Sequence, residues 1–278
     1  MRSLSVLVLS ALVALSSCSK EKSIDTTDGT GNPGSGGVNG NCNDIVQKIK
    51  RIQFTAESDS YVEATWNTDG SINSIKINEP LTEYRTINMI YSGGKIVEGE
   101  LLFNETGDVY DTVVFRYDAA GRVDSMHLKN DDGFGIRLRY NNDKLVKLER
   151  YNTPTEIYFY WDLQTDAGNN ITGGEEYWYD GSAFKKESTY TYKRDDRKNP
   201  FKDLAPYMFY LDDAYGIFRY WGNNNYTDQR WQDHTGLGAD ITSGLKYTYN
   251  TNCYPESSLM TVLGFPVFTD PDYLYTYY

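Results

Sequence analysis

The sequence predicts an all-β fold: a long antiparallel meander of repeated hairpins, bent into a curved sheet or an open or partial β-barrel. Three observations predict it. One hairpin is written out at Phe115-Arg-Tyr117-Asp118-Ala-Ala-Gly121-Arg-Val123-Asp-Ser-Met126. There an alternating run ends on an aromatic, Asp118 opens a turn, Gly121 supplies positive φ and a second run begins. Degenerate copies recur at spacings of 25, 26, 23 and 21 residues through Trp66, Tyr91, Tyr117, Tyr140 and Trp161, then at 31 and 57 to Tyr192 and Tyr249. Such a period suits two strands and two turns per unit. The third observation is the 25 Tyr among 278 residues. A side chain with an apolar body and a wet tip suits broad, half-exposed sheets.

The chain begins with a targeting segment. Arg2 gives the positive start and Val6 to Leu15 an apolar run too short to span a bilayer as a helix. Leu15-Ser16-Ser17-Cys18 has the form of a bacterial lipobox, which predicts cleavage before Cys18 and lipidation of its thiol. Residues 1–17 then form the signal peptide, and several acyl chains on Cys18 anchor the protein to a membrane. Ser19 stands where an inner-membrane retention signal would place Asp, which points to the outer membrane, on its periplasmic or its cell-surface face. Residues 18–43 are the lipidated Cys and a flexible tether rich in Gly, Ser, Thr, Asp and Asn, spanning roughly 25 Å as a coil. Residues 44–278 make a single β-repeat domain.

Within that domain Val62, Ala64 and Trp66 alternate with Glu63 and Thr65 before Asn67-Thr-Asp69-Gly70 turns the chain. Behind several turns an apolar pair recurs three residues apart: Ile72 and Ile75, Val123 and Met126, Leu145 and Leu148. Such a separation reverses side in a regular strand, so a bulge or burial of both faces is expected there. Ile136 to Tyr140 and Ser188 to Tyr192 alternate cleanly, and in the last unit Cys253 stands where Gly121 stands in the clearest copy.

Tyr117-Asp118-Ala-Ala-Gly121-Arg122-Val123 resembles the YD repeat of Rhs-type proteins. Over roughly Ile45 to Tyr278 the chain is similar to a family of Bacteroidetes lipoproteins of unknown function described as having a porin-like fold. The residues that carry this are Cys18, the YD-like hairpins, Lys198-Asn-Pro200-Phe201 followed by Asn223-Asn-Asn225, and Tyr247-Thr-Tyr-Asn with Tyr254-Pro255. The resemblance implies a curved antiparallel sheet or partial barrel on a cell-envelope lipoprotein. It implies no reaction.

The repeat fails between Arg194 and Asn225. Leu204, Tyr207, Met208 and Leu211 sit at helical spacing, predicting a short amphipathic helix between Pro200 and Gly216 that plugs the concave face. The competing expectation makes this insertion (about 200–226) a groove wall, with Tyr220, Trp221, Tyr226 and Trp231 as a ligand-stacking platform.

A net charge of −12 argues against nucleic acid, because no basic stripe exists to displace counterions. No catalytic motif is present, so no enzyme, catalytic residue, metal or cofactor is expected. His127 and His234 lack a ligand pattern, and Asp131-Asp132 and Asp212-Asp213 lack the spaced oxygens of a Ca²⁺ loop. Glu175 and Glu176, as strand neighbours, point to opposite faces. Once Cys18 is lipidated, Cys42 and Cys253 form an even pair in an oxidising compartment, which predicts a disulfide. The function expected is non-enzymatic binding of a glycan, peptide or partner protein at the envelope. The alternatives are a purely structural envelope lipoprotein and a surface-polymer hydrolase. Oligomeric state is left open.

Overall fold

The computed structural model describes residues 45–55, 60–78, 85–103, 106–130, 135–153, 155–210, 218–236, 240–262, 265–266 and 272–278. The signal segment, Cys18, the tether with Cys42, and the acidic pairs Asp131-Asp132 and Asp212-Asp213 lie outside them. By compactness the chain divides into Met1–Ser35 and Gly36–Tyr278, and every described residue belongs to the second unit.

Strands β1 (Ile49–Phe54), β2 (Tyr61–Trp66), β3 (Ile72–Asn78), β4 (Arg85–Ser92), β5 (Lys95–Phe103) and β6 (Val109–Tyr117) follow one another. Next come β7 (Val123–Leu128), β8 (Gly135–Asn141), β9 (Lys144–Thr153), β10 (Glu156–Thr165), β11 (Ile171–Tyr179) and the long β12 (Phe184–Lys198). After an insertion over residues 199–223 the chain adds β13 (Asn224–Asp233), β14 (Ile241–Tyr249), β15 (Pro255–Val262), β16 (Phe265–Pro266) and β17 (Tyr273–Tyr277). β1 pairs antiparallel with both β2 and β17, so the meander closes on itself. β16 and β17 lie along the same edge of β15, at Thr261-Val262 and Ser257-Ser258 respectively. The 17 strands therefore make a ring of 16 positions. The expected curl goes to full closure, which removes both sheet edges.

The apolar pairs three apart explain how each hairpin starts. Thr65 pairs with Ser74 but Trp66 with Ile72, so Asn73 is an extra residue in β3. Asp124 and Val146 are extra in the same way, between Val123 and Ser125 and between Leu145 and Lys147. The bulge restores the phase, and both members of each pair reach the core: Ile72 and Ile75, Val123 and Met126, Leu145 and Leu148 are all buried. Turn chemistry agrees with the sequence. Gly121 has φ +83°, Cys253 takes the same left-handed place at +64°, and Asn142 and Asp143 (φ +47° and +66°) build the turn that has no Gly.

A second regularity ties neighbouring hairpins together. A residue at or near the end of β2, β4, β6, β8, β10, β12 and β17 reaches sideways and donates to a carbonyl near the start of a neighbouring hairpin's strand, whereas Tyr249 of β14 donates to Asp195 instead. Tyr91 Oη donates to Ile72 O at 2.7 Å, Tyr117 Oη to Ile96 O at 2.7 Å and Tyr140 Oη to Val123 O at 2.9 Å. Trp66 Nε1 does the same to Ile49 O at 2.8 Å, and Tyr277 Oη closes the series on Pro255 O at 2.8 Å. In the fifth copy the latch is Thr165, whose Oγ1 donates to Leu145 O at 2.7 Å. This corrects the sequence alignment, which put Trp161 before the turn. Trp161 instead faces inward, 1% exposed, in edge-to-face contact with Phe159 and with Phe218 of the insertion. In the sixth copy Arg194 takes the position, with Nε and Nη2 on Ile171 O.

Most buried strand positions are apolar and most exposed ones polar, although Ile90, Val109 and Phe184 are exposed and Asp111, Glu149 and Glu176 are buried. Cross-strand ion pairs such as Lys129–Glu98, Lys147–Asp162 and Lys186–Glu175 stand on the outer wall. Each is worth under about 1 kcal/mol, but together they mark a wall facing water. A lipid-facing wall would carry an apolar band instead.

A ring this wide leaves a lumen that wall side chains alone do not fill. The insertion fills it. Phe201, Leu204, Ala205, Met208, Phe209, Phe218 and Trp221 are buried in one cluster with residues of β1 through β12. Tyr207 packs on Phe115 of β6, Tyr210 Oη donates to Met126 O of β7, and Arg85 of β4 donates to Tyr210 O. Only a segment inside the ring reaches strands so far apart. Over residues 201–210 the predicted helix is a difference, since residues 201–204 form turns and Ala205–Tyr207 a 3₁₀ turn, while residues 211–217, Leu211 among them, lie outside the described residues. An α-helix with a single apolar stripe would set its polar side against the apolar wall, whereas tight turns bury Leu204, Ala205, Met208 and Phe209 in several directions.

Cys253 is disulfide-bonded, and its partner lies outside the described residues. Gln47 Oε1 accepts Asn250 Nδ2 at 2.7 Å and Ile45 O accepts Lys198 Nζ, so the chain start lies against the Cys253 turn. That placement supports pairing with Cys42, which would close a loop worth about 4–5 kcal/mol in the chain-entropy model. Thiol titration of the unfolded, unreduced protein, after removal of residues 1–17 and blocking of Cys18, is expected to find no free thiol, and two would refute the pairing. Removing the latch hydroxyl by Tyr117→Phe leaves Ile96 O unpaired and is expected to cost about 1–2 kcal/mol in denaturant unfolding. Tyr110→Phe, at an exposed ring, is the control and should cost nothing measurable.

Candidate functional site

The latch ring and the insertion meet at one barrel mouth, and between them lies a cleft of about 500 Å³. That volume falls within the range of small-ligand pockets, roughly 300–1,000 Å³. The turns after β2, β4 and β6 form one side, through Trp66, Tyr91, Tyr117 and the small residues Gly70, Ser71, Gly94 and Gly121. Lys202, Asp203, Pro206 and Tyr207 of the insertion form the other.

Local chemistry fixes each part. Asp118 Oδ1 accepts the N–H groups of Ala120 and Arg122 at 2.9 and 3.0 Å, which holds the YD turn in shape. These hydrogen bonds also draw the carboxyl below the usual carboxylate range. Positive φ at Gly70, Gly94 and Gly121 selects residues without a Cβ, which at Gly70 and Gly121 leaves room for the Lys48 and Lys95 ammonium groups. Because the Tyr91 and Tyr117 hydroxyls are spent in latches, it is their ring bodies that line the space. Tyr117 and Tyr207 also meet hydroxyl to hydroxyl at 3.5 Å. Burial, ahead of any other cause, raises the pKa of both.

Two lysines sit over rings at this mouth. Lys48 Nζ lies 4.7 Å from the Trp66 ring centre and also donates to Gly70 O. Lys95 Nζ lies 4.9 Å from the Tyr117 ring centre, a cation–π contact, and forms no ion pair among the described residues. Lys202 is exposed and likewise has no ion pair among the described residues.

The aromatic quartet named from sequence sits elsewhere. Trp221 and Tyr226 are each 7% exposed, and Tyr220 is tilted against Phe201 at 4.3 Å. Trp231 is half-buried against the core. These four do not present coplanar faces to solvent, which corrects the stacking platform. Tyr220 and Tyr226 instead enclose, with Asn225, Tyr247 and Tyr275, a cavity of about 10 Å³. That is room for about one water. Tyr247 and Tyr275 are walled in by protein, and burial drives both hydroxyls far above their ordinary pKa.

Arg194 holds the far end of the insertion. Besides Ile171 O, its guanidinium donates to Phe218 O at 2.7 Å, Arg219 O at 2.6 Å and Asn224 O at 3.3 Å. Burial lowers its pKa, yet the ring of carbonyls satisfies the cation. Asp195 beside it accepts Tyr249 Oη, and burial raises its pKa.

Glu175 and Glu176 do face opposite ways. Glu175 binds Lys186 and Tyr177, whose hydroxyl this bond pushes up to about 12. Glu176, 3% exposed, accepts Ser188 Oγ, Trp178 Nε1 and Tyr190 Oη. His234 meets Thr189. Among the described residues no three His, Cys, Asp or Glu are grouped to hold a metal ion.

Fold and cleft define a closed β-barrel, plugged by its own insertion, with an aromatic cleft at one mouth. No protein-family profile matches the chain, and no curated protein matches it. Among solved structures it is similar to a porin-like protein from Bacteroides uniformis ATCC 8492, at 12% identity and TM-score 0.49, over 83% of this chain and 98% of that one. It is also similar to a porin-like protein from Bacteroides vulgatus ATCC 8482, at 11% identity and TM-score 0.42, over 84% and 98%. The fold itself rests on the strand pairings described above.

The buried tyrosines give a pH prediction. Their folded pKa values are raised, so the native state keeps protons that the unfolded chain releases from about pH 10. Their contribution to stability is complete below that pH and falls as pH rises above it. Denaturant midpoints should therefore drop steeply above about pH 10, and less steeply in Tyr207→Phe.

Proposed function

We propose that the protein is a lipid-tethered barrel of the bacterial cell envelope that binds a ligand at the mouth cleft without transforming it. One observation carries the reading: ring bodies from three hairpins and from the insertion line a recess that their own latches hold rigid. A preorganised recess loses little entropy when a ligand enters. The lipobox at Cys18, the tether and the polar outer wall support a barrel held beside an outer membrane rather than within it. The plugged lumen argues against a diffusion channel. Asp203 is the one acid lining the cleft, and hydrolysis of a glycoside would call for two facing acids.

The filled lumen favours a second reading, a structural envelope lipoprotein that needs no ligand. A binding screen separates the two. The lipidated chain in detergent micelles is expected to retain members of a glycan and peptide panel, and Asp203→Trp, which sets an indole into the cleft, should abolish that retention. Binding that survives Asp203→Trp would place the ligand elsewhere, and an empty screen would leave the structural reading. Fatty-acid labelling should be lost in Cys18→Ser; if the label persists, the anchor is not at Cys18.

A further inference from the structure

We propose that the mouth cleft takes an acidic saccharide, with a sugar face against the aromatic rings and its carboxylate or sulfate held by Lys95 and Lys202. This rests on the reading of the cleft as a ligand site and adds the ligand's chemistry.

The argument starts from charge. The chain carries −12 overall, and on the barrel wall basic residues such as Arg51, Lys129, Lys147 and Lys186 stand beside acids. At the mouth Arg122 of the YD turn still pairs with Asp118 and Asp143, and Lys48 stands in the field of Asp69. Lys95 and Lys202 depart from that pattern: both line the recess with no ion pair among the described residues, beside the acid Asp203. The lining of the recess therefore carries more lysines than acids, on an acidic protein. Lys95 rests on the Tyr117 ring rather than on a carboxylate, which keeps its hydrogens available to a ligand.

The rings supply the other half. Tyr91 and Tyr207 have tips spent or crowded inside the protein, so what they offer is flat apolar carbon, while the Tyr117 ring carries Lys95 and holds that cation in the lining. Flat carbon beside unpaired ammonium groups matches a pyranose ring that carries an acid. A free inorganic anion would leave the rings unused, and a neutral sugar would leave the lysines unused. Carboxylate and sulfate present the same chemistry here.

The test uses the lipidated chain in micelles and isothermal titration with four probes. These are a uronic-acid oligosaccharide, the same oligosaccharide with its carboxyls reduced to alcohols, a sulfated oligosaccharide, and inorganic sulfate. We expect one of the acidic oligosaccharides to bind at least about ten-fold tighter than the reduced form, weakening as salt rises. Lys95→Gln with Lys202→Gln should erase that difference while leaving the melting temperature and any binding of the reduced form unchanged. Asp203→Trp should remove binding of every oligosaccharide although it deletes a negative charge, since blocking outweighs the gain in attraction. Equal affinity for the acidic and reduced forms would overturn the acidic class and leave the cleft reading standing, provided Asp203→Trp still blocks. Acid-selective binding that Asp203→Trp does not touch would overturn both. Inorganic sulfate binding as tightly as the saccharides, or no acidic probe binding at all, would also overturn the proposal.

Discussion

A single sideways hydrogen bond, repeated around the ring, is what the barrel depends on. Ladder bonds join strand to strand, but they do not say where one hairpin ends relative to the next. The latch does. Tyr117 Oη on Ile96 O sets the YD turn after β6 against the turn after β4, and Tyr91 and Tyr140 repeat the operation on either side. Each latch is worth only about 1 kcal/mol net, but it also satisfies a carbonyl freed by the bulge beside it. Bulge and latch are thus one device. The extra residue bends the strand, and the freed carbonyl becomes the acceptor for the neighbouring hairpin's aromatic tip.

Closing sixteen positions creates a problem that the latch does not solve, because the wall encloses more space than its own side chains occupy. Up to β12 the chain is wall; then the described residues of the insertion, 199–210 and 218–223, turn inward and supply missing volume. Arg194 makes this possible. Standing at the latch position of the sixth copy, it has enough donors to serve the usual carbonyl, Ile171 O, and three more that secure the inserted chain and the return to β13. A tyrosine there could bind one carbonyl and would leave the end of the insertion unheld.

Much of this was legible in the sequence, and the reasons are physical. Apolar residues three apart announce a bulge because a regular strand cannot bury both, as Ile72 and Ile75 show. The signal fades where the inward place is taken from across the sheet: a Cβ on Gly99 would lie 2.5 Å from Ile87 Cδ1, so Ile87 fills that position and the spacing from Ile96 goes unread. The fifth copy was misaligned because its latch is a threonine, with no aromatic to mark it. The break at Arg194 was plain, whereas its conformation was not, since helical spacing describes one apolar face and the lumen imposes several. The aromatic quartet misled for a related reason. Tyr220, Trp221, Tyr226 and Trp231 cluster in sequence, yet the first two belong to the insertion itself, and packing it against the wall buries Trp221 and Tyr226.

The mouth cleft was invisible in the sequence for the opposite reason, since its parts lie far apart along the chain, between Trp66 and Gly121 and again from Lys202 to Tyr207. What joins them follows from the latch. A tyrosine whose hydroxyl is tied to a neighbouring carbonyl must lay its ring along the inner rim, and a turn that requires positive φ selects glycine, which at Gly70 and Gly121 leaves room for the Lys48 and Lys95 ammonium groups. Three such units in a row make a shallow aromatic shelf whether or not a ligand exists. The insertion turns that shelf into a recess, because Pro200 and the turn that follows bring Lys202 to Tyr207 across the mouth before the chain descends. Shelf and cover therefore have structural causes of their own. The charges do not: the hairpin fold gives no reason for Lys95 to stand beside Tyr117 without a carboxylate, nor for Lys202 to face it from the insertion. Residues that the fold does not require are where selection for binding would act, and here they are the two cations.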